Sequence, residues 1–324
     1  MSQSSSAETI NVANASTVSR DEKNLINRVG AYGYFLQRYS ATVIKHAGFH
    51  VEEEYPITLG YSLGPQTCVY ESSVDVLARR HHRETDYELV LHTQSKQRSS
   101  EDWFFLPEMG KSIVRFNQVS RLESKPFVVS DFGEIQLSKW PGPDVPICTI
   151  GRELRDDSTD PTTIEFGRQG RDAVYDARRE AAFSVKSVIA ESRRSDVDLV
   201  REDALYSVLA ANSIHIPLVV TAANLHLVEF DAADSKIEVA ANAKSHVVEY
   251  LIYSFPLNRY LQIDFDLPEP TGLHRLSHLN MFVVNYQSLD SFLRTLINYF
   301  VGHHEESFHQ PRQATDALTS DGQI

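Results

Sequence analysis

The chain has 324 residues, 42% of them hydrophobic, enough for one large core or two modest ones. A formal net charge of -13 excludes a globally basic nucleic-acid binder but leaves room for a local basic groove. The two cysteines, Cys68 and Cys148, lie far apart, which excludes a disulfide scaffold and a thiolate zinc site, and no apolar run reaches membrane-spanning length.

Residues 1–20 are rich in Ser, Thr, Ala and Asn and are expected to be a disordered tail. The opening Met-Ser-Gln-Ser-Ser-Ser-Ala has neither a basic nor an apolar stretch, so no leader is expected and the expected location is cytoplasmic. A helix is predicted from Lys23 to Ala47, with Leu25, Val29, Tyr32, Leu36, Tyr39 and Val43 as its core-facing stripe. Gly30 and Gly33 inside it suggest close packing against a sheet, and Gly48 is placed to end it. Val51 to Leu59 reads as a strand, and Tyr61-Ser-Leu-Gly-Pro-Gln as a turn. Of Glu52, Glu53 and Glu54, alternation lets at most one face join a site, and a solvated strand edge is the plainer reading.

The next two strands carry the chemistry. One is predicted from Thr67 to Arg79 and contains Glu71-Ser-Ser-Val-Asp75; the other is Tyr87-Glu-Leu-Val-Leu-His-Thr-Gln-Ser-Lys96. On the second, Val90, His92, Gln94 and Lys96 share one face, and pairing of the strands brings Asp75 beside them. Two oxygen ligands and an ammonium at one sheet edge are what metal-assisted attack on a phosphodiester requires. The plainer alternative has Asp75 closing a strand and Lys96 lying along the sheet edge with its ammonium in water. His92, two positions inward, is expected to pack in the core.

Beyond Arg98, short apolar pieces broken by Pro and Gly suggest an irregular, partly β insertion at about 99–165, with Trp103-Phe-Phe plugging a core. Gly167 to Arg194 reads as a long helix with Val174, Ala177, Ala181, Val185, Val188 and Ile189 on its apolar side. Its other side carries Arg171, Arg178 and Arg179, which either contact phosphates or pair with Asp172, Asp176 and Glu180. A further helical piece near 201–211 and strands at Ile214–Thr221, Leu225–Phe230, Val247–Phe255 and Asn280–Asn285 follow. A last helix runs from Leu289 to Val301, and residues 303–324 read as a disordered tail. The interleaving favours one α/β domain over 21–302.

Asp75 and Gln94-Ser95-Lys96, preceded by a helix and a strand, resemble the PD-(D/E)xK nuclease superfamily in the Q-x-K form of its Mrr-like members. Val74 stands where the motif's name has proline, Gln94 replaces an acid, and Gln37 stands where many relatives place a glutamate. The resemblance covers roughly residues 21–98. It implies a restriction-endonuclease-like core, a mixed central sheet flanked by helices, with the α-β-β-β-α-β order. It also implies a magnesium (or manganese) ion held by Asp75, the Gln94 amide and the Ser95 carbonyl, with Lys96 at the phosphate and Gln37 in support. DNA is the implied partner, and a homodimer is implied because many relatives pair to cut both strands. The alternative is a nuclease-fold protein without activity that binds nucleic acid or a protein partner, because Gln94 and Gln37 each remove a charge from the metal site.

Overall fold

The computed structural model describes residues 33–63, 66–82, 87–97, 102–108, 110–122, 125–154, 173–202, 212–229, 243–257, 263–264, 275–276 and 278–302. The two predicted tails, the helix before Gly33, the segment 155–172 with Arg171, and 203–211 lie outside the described residues.

Helix α1 (Tyr34–His46) begins after Gly33, whose φ of 80° is the left-handed conformation that glycine adopts without a Cβ penalty. Gly33 therefore sits at the helix entrance and not inside a longer helix, as the sequence suggested. The buried face of α1 is Leu36, Gln37, Ser40, Ala41 and Ile44, while Tyr39 stays largely exposed. Of the predicted stripe, Leu36 is buried and Val43 partly so, but the face turns towards Gln37, Ser40 and Ala41, whose small or amide side chains fit against the sheet where Tyr39 does not.

Strands β1 (His50–Leu63), β2 (Gln66–His82) and β3 (Tyr87–Lys96) form an antiparallel meander. Tyr61, Ser62 and Leu63 belong to β1 and Gln66 to β2, so four of the six residues read as a turn are strand residues. Next come β4 (Asp102–Pro107), β5 (Ile113–Leu122), β6 (Lys125–Gln136) and β7 (Ile147–Leu154). Helix α2 (Ala173–Glu202) then leads to β8 (Asn212–Thr221), which lies parallel to β3 from Tyr87↔Asn212 to Lys96↔Thr221. The chain continues through β9 (Leu225–Glu229), β10 (Lys244–Val248), β11 (Tyr250–Pro256) and the short ribbon β12 (Ile263–Asp264) and β13 (Arg275–Leu276). It closes with β14 (His278–Asn285) and helix α3 (Leu289–Gly302).

All strands but the ribbon join one mixed sheet, ordered β1-β2-β3-β8-β14-β11-β7-β4-β9-β10, with β5 beside β8 and β6 beside β5. This corrects two expectations. The segment read as an insertion supplies β4 and β7 to the sheet itself, with β7 parallel to the central β11. Val247–Phe255 is also not one strand: it breaks at Glu249 into β10 at the sheet edge and β11 in its middle.

Alternation on the central strands sorts the core into two layers. Leu89, Leu91, Ile214, Ile216, Leu218, Phe282 and Val284 face α1 and α3, where Ile44, Phe292 and Leu296 meet them. Val219, Met281 and Val283 face Ala177 and Ala181 of α2, and Val90 meets Val188 farther along that helix. The result is an α/β protein with helices on both faces of a large mixed sheet. Pro217 has no N–H to donate, and it falls where one side of β8 changes partner from β5 (Ser213–His215) to β14 (Leu218–Thr221).

Candidate functional site

The β2–β3 ladder ends at Val76↔Thr93. One residue farther along β2, the Asp75 carboxylate takes over: Oδ2 accepts the Ser95 main-chain N–H at 2.6 Å. The carbonyl of a strand residue points to the same side as its N–H, so the Ser95 carbonyl also opens towards Asp75. From α1, the Gln37 side-chain amide donates to the Asp75 main-chain carbonyl at 3.2 Å. Gln37 therefore supports the strand that carries Asp75.

On the opposite side of β2, Glu53↔Val76 and Tyr55↔Val74 are paired, and Glu54 faces Asp75 between them. Glu54 has a φ of 52°, and among the described residues it is the one non-glycine residue with positive φ. Such a conformation costs roughly 1–2 kcal/mol for a residue with a Cβ, and strain of this kind gathers at functional sites. Of the three glutamates, Glu53 pairs with Arg38 of α1 and Glu54 adds negative charge beside Asp75.

Gln94 is 2% exposed, and its amide nitrogen has no hydrogen-bond partner among the described residues. A buried amide without a partner is costly, about 1–3 kcal/mol, unless something polar meets it. Lys96, on the same face of β3, reaches α2 and donates to Glu180 Oε2 at 2.5 Å, with both side chains mostly buried. Its main-chain carbonyl is held by Thr221 Oγ1 at 3.1 Å. The Asp75 carboxyl is pushed up to about 6, chiefly by burial. The Ser95 N–H and Lys96 oppose that rise, and Glu180 and Glu54 add to it.

Asp75, in the middle of β2, thus lies beside Gln94, Ser95 and Lys96 where the β2–β3 ladder ends, with Gln37 holding the Asp75 main chain from α1. Sequence reasoning treated Glu180 only as a partner for helix arginines and set Glu54 aside. The periodicity of α2 did hold a signal for Glu180, one residue before the buried Ala181 and so at the margin of the face that meets the sheet. Arg178 and Arg179 make their contacts elsewhere. Arg178 lies over the Tyr175 ring at 4.5 Å and faces Phe255 at 5.9 Å, and Arg179 pairs with Asp176 at 3.6 Å. His92 is fully buried, as expected, and Trp103 and Phe105 are core residues.

The donors here are hard oxygens: the Asp75 and Glu180 carboxylates, the Gln94 amide and the Ser95 carbonyl. That chemistry suits magnesium, which is commonly held by one or two carboxylates and keeps several waters. The Gln94 amide, whose nitrogen is bound by no partner among the described residues, has an oxygen of the kind such an ion takes. Among the described residues, no three His, Cys, Asp or Glu side chains form a group able to hold a metal, so an all-carboxylate cage is not the arrangement.

These observations define a mixed-sheet α/β protein with an acid–amide–lysine cluster at the end of an antiparallel meander. No family model, curated protein or solved structure matches the chain. No helix among the described residues is long and apolar enough to cross a membrane.

Proposed function

We propose that the chain is a metal-dependent DNA endonuclease of the PD-(D/E)xK type, with a restriction-endonuclease-like core formed by α1, β1, β2, β3, α2 and β8. The observation that carries this reading is that the Asp75 carboxylate accepts the Ser95 N–H, between Gln94 and Lys96 on β3, with Lys96 and Glu180 close enough to act on its charge. The element order supports it in part: a helix and an antiparallel three-stranded meander, then, after the intervening β4 to β7, a helix and a strand parallel to β3.

Asp75, the Gln94 amide oxygen and the Ser95 carbonyl would hold a magnesium or manganese ion. Such an ion would neutralise the non-bridging oxygens of the scissile phosphate and acidify a water. Asp75 would give up its proton on loading, since burial keeps that proton on until about pH 6. Lys96 would turn from Glu180 to the phosphate as substrate arrives and stabilise charge in the transition state. Glu180, released from Lys96, would then be free to orient a water or add a second carboxylate.

A second reading keeps the fold without the cleavage. It is favoured by Gln94, which leaves the Lys96 end of β3 without an acid, and by the Lys96–Glu180 pair, which occupies the lysine. The test uses the purified chain on duplex and single-stranded DNA with millimolar magnesium or manganese. Cleavage that is lost in both Asp75→Ala and Lys96→Ala, with folding retained, supports the nuclease. Undiminished cleavage in both variants removes the assignment. No cleavage together with no magnesium uptake by calorimetry favours the inactive binder.

A further inference from the structure

Below the candidate site, on the α2 face of the sheet, four polar side chains form one buried chain. Ser184 Oγ lies 2.7 Å from His92 Nδ1, His92 Nε2 lies 2.9 Å from His215 Nδ1, and Ser213 Oγ lies 3.1 Å from His215 Nε2. His92 and Ser184 are fully buried, and His215 is 1% exposed. Burial holds both imidazoles well below their usual value, His215 at about 3, so both are neutral throughout the working range. A neutral imidazole offers one donor and one acceptor, so the chain can run in only two senses, all its bonds pointing one way or all the other. Apolar side chains would fill this layer at lower desolvation cost, and a fully satisfied polar network there specifies one arrangement of the elements it joins.

Those elements are α2, β3 and β8, and the spacing ties the chain to the candidate site. Glu180 and Ser184 lie one turn apart on the same face of α2. Lys96 and His92 lie four residues apart on the same face of β3, about 13 Å. Thus α2 meets β3 at two points, Ser184 on His92 and Glu180 on Lys96, and the long lysine stem spans the difference.

We propose that the Ser184–His92–His215–Ser213 chain fixes the seat of α2 on β3 and so holds Glu180 against Lys96. Ser184 and His92 are positioning residues, which rests on reading Glu180 and Lys96 as site residues.

The test is the reactivity of the Lys96 amine towards an acylating reagent, followed residue by residue by mass spectrometry without metal or DNA. An ion-paired, mostly buried ammonium reacts slowly, and E180Q sets the level reached when the pair is lost. S184A and H92Q, which remove the link to α2, are expected to raise Lys96 labelling to the E180Q level. H92N keeps a polar group where Nδ1 stood and is expected to stay near wild type. The buried thiol of Cys148 reports folding, since it stays unreactive in an intact core. S184A removes a single oxygen and serves where a His92 variant unfolds. Wild-type labelling in folded S184A, or no rise in E180Q itself, overturns the proposal. Neither outcome depends on whether the chain cuts DNA.

Discussion

Asp75→Asn is expected to make the protein more stable at neutral pH while abolishing its proposed activity. The folded carboxyl titrates at about 6 against an ordinary value of 3.8. Between pH 4 and 6 the folded state therefore binds more protons than the unfolded state, and stability falls as pH rises through that interval. The two values differ by roughly two pH units, at about 1.36 kcal/mol each, so the ionised side chain costs up to about 3 kcal/mol at pH 7.5. Water reaches a partly buried carboxyl, so the expected gain is about 1–3 kcal/mol. Asparagine keeps an oxygen for the Ser95 N–H and removes only the charge. Urea unfolding of both proteins at a series of pH values reads the difference directly. The gain should be full above pH 6 and shrink towards zero as pH approaches 4. A gain independent of pH, or a less stable variant at pH 7.5, would show that Asp75 is not held against its ionisation.

Magnesium affinity of the wild type should rise with pH up to about 6 and level off above it, because loading must displace the Asp75 proton; calorimetry across pH 5–8 checks this. E180Q removes a negative charge beside Asp75, so the same midpoint should move to lower pH, and an unmoved midpoint would detach Glu180 from the site. Lys96→Met should lose cleavage in a gel assay yet still take up magnesium, since its ammonium stabilises charge and binds no cation. Gly151→Ala would place a Cβ 2.5 Å from the Phe105 ring, which packs edge-on against Tyr253, so thermal unfolding should reveal a loss of about 1–3 kcal/mol.

The first third of the fold was legible because its signals are local. Alternation in Tyr87–Lys96 gave β3 its bounds, and the glycine after Ala47 ended α1 where expected. The apolar side of α2 was right at each of its six named positions, because a repeat of three and four residues has only one reading. What the sequence hid is non-local. Nothing in Ile147–Leu154 announces that it will lie parallel to Tyr250–Pro256, a hundred residues on, so β4 and β7 passed for an insertion. Glu249 gave no turn signal of the Gly or Pro kind, and the break between β10 and β11 was missed with it.

The site divides along the same line. Asp75, Gln94, Ser95 and Lys96 could be grouped from the sequence because they sit on neighbouring strands of a meander, whose pairing follows from sequence order. Glu180 arrives from 84 residues beyond Lys96, and only the crossover through α2 brings it in. Its arrival also accounts for the amide at position 94. Around Asp75 the Glu180 and Glu54 carboxylates already oppose its ionisation, with Lys96 acting the other way. A further buried acid on β3 would repel Asp75 and lift its carboxyl above the range in which it is ionised at pH 7. On the proposed reading, the neutral Gln94 would supply a metal-binding oxygen without that cost, so the departure that most weakens the motif in the sequence is the one the surrounding charges favour.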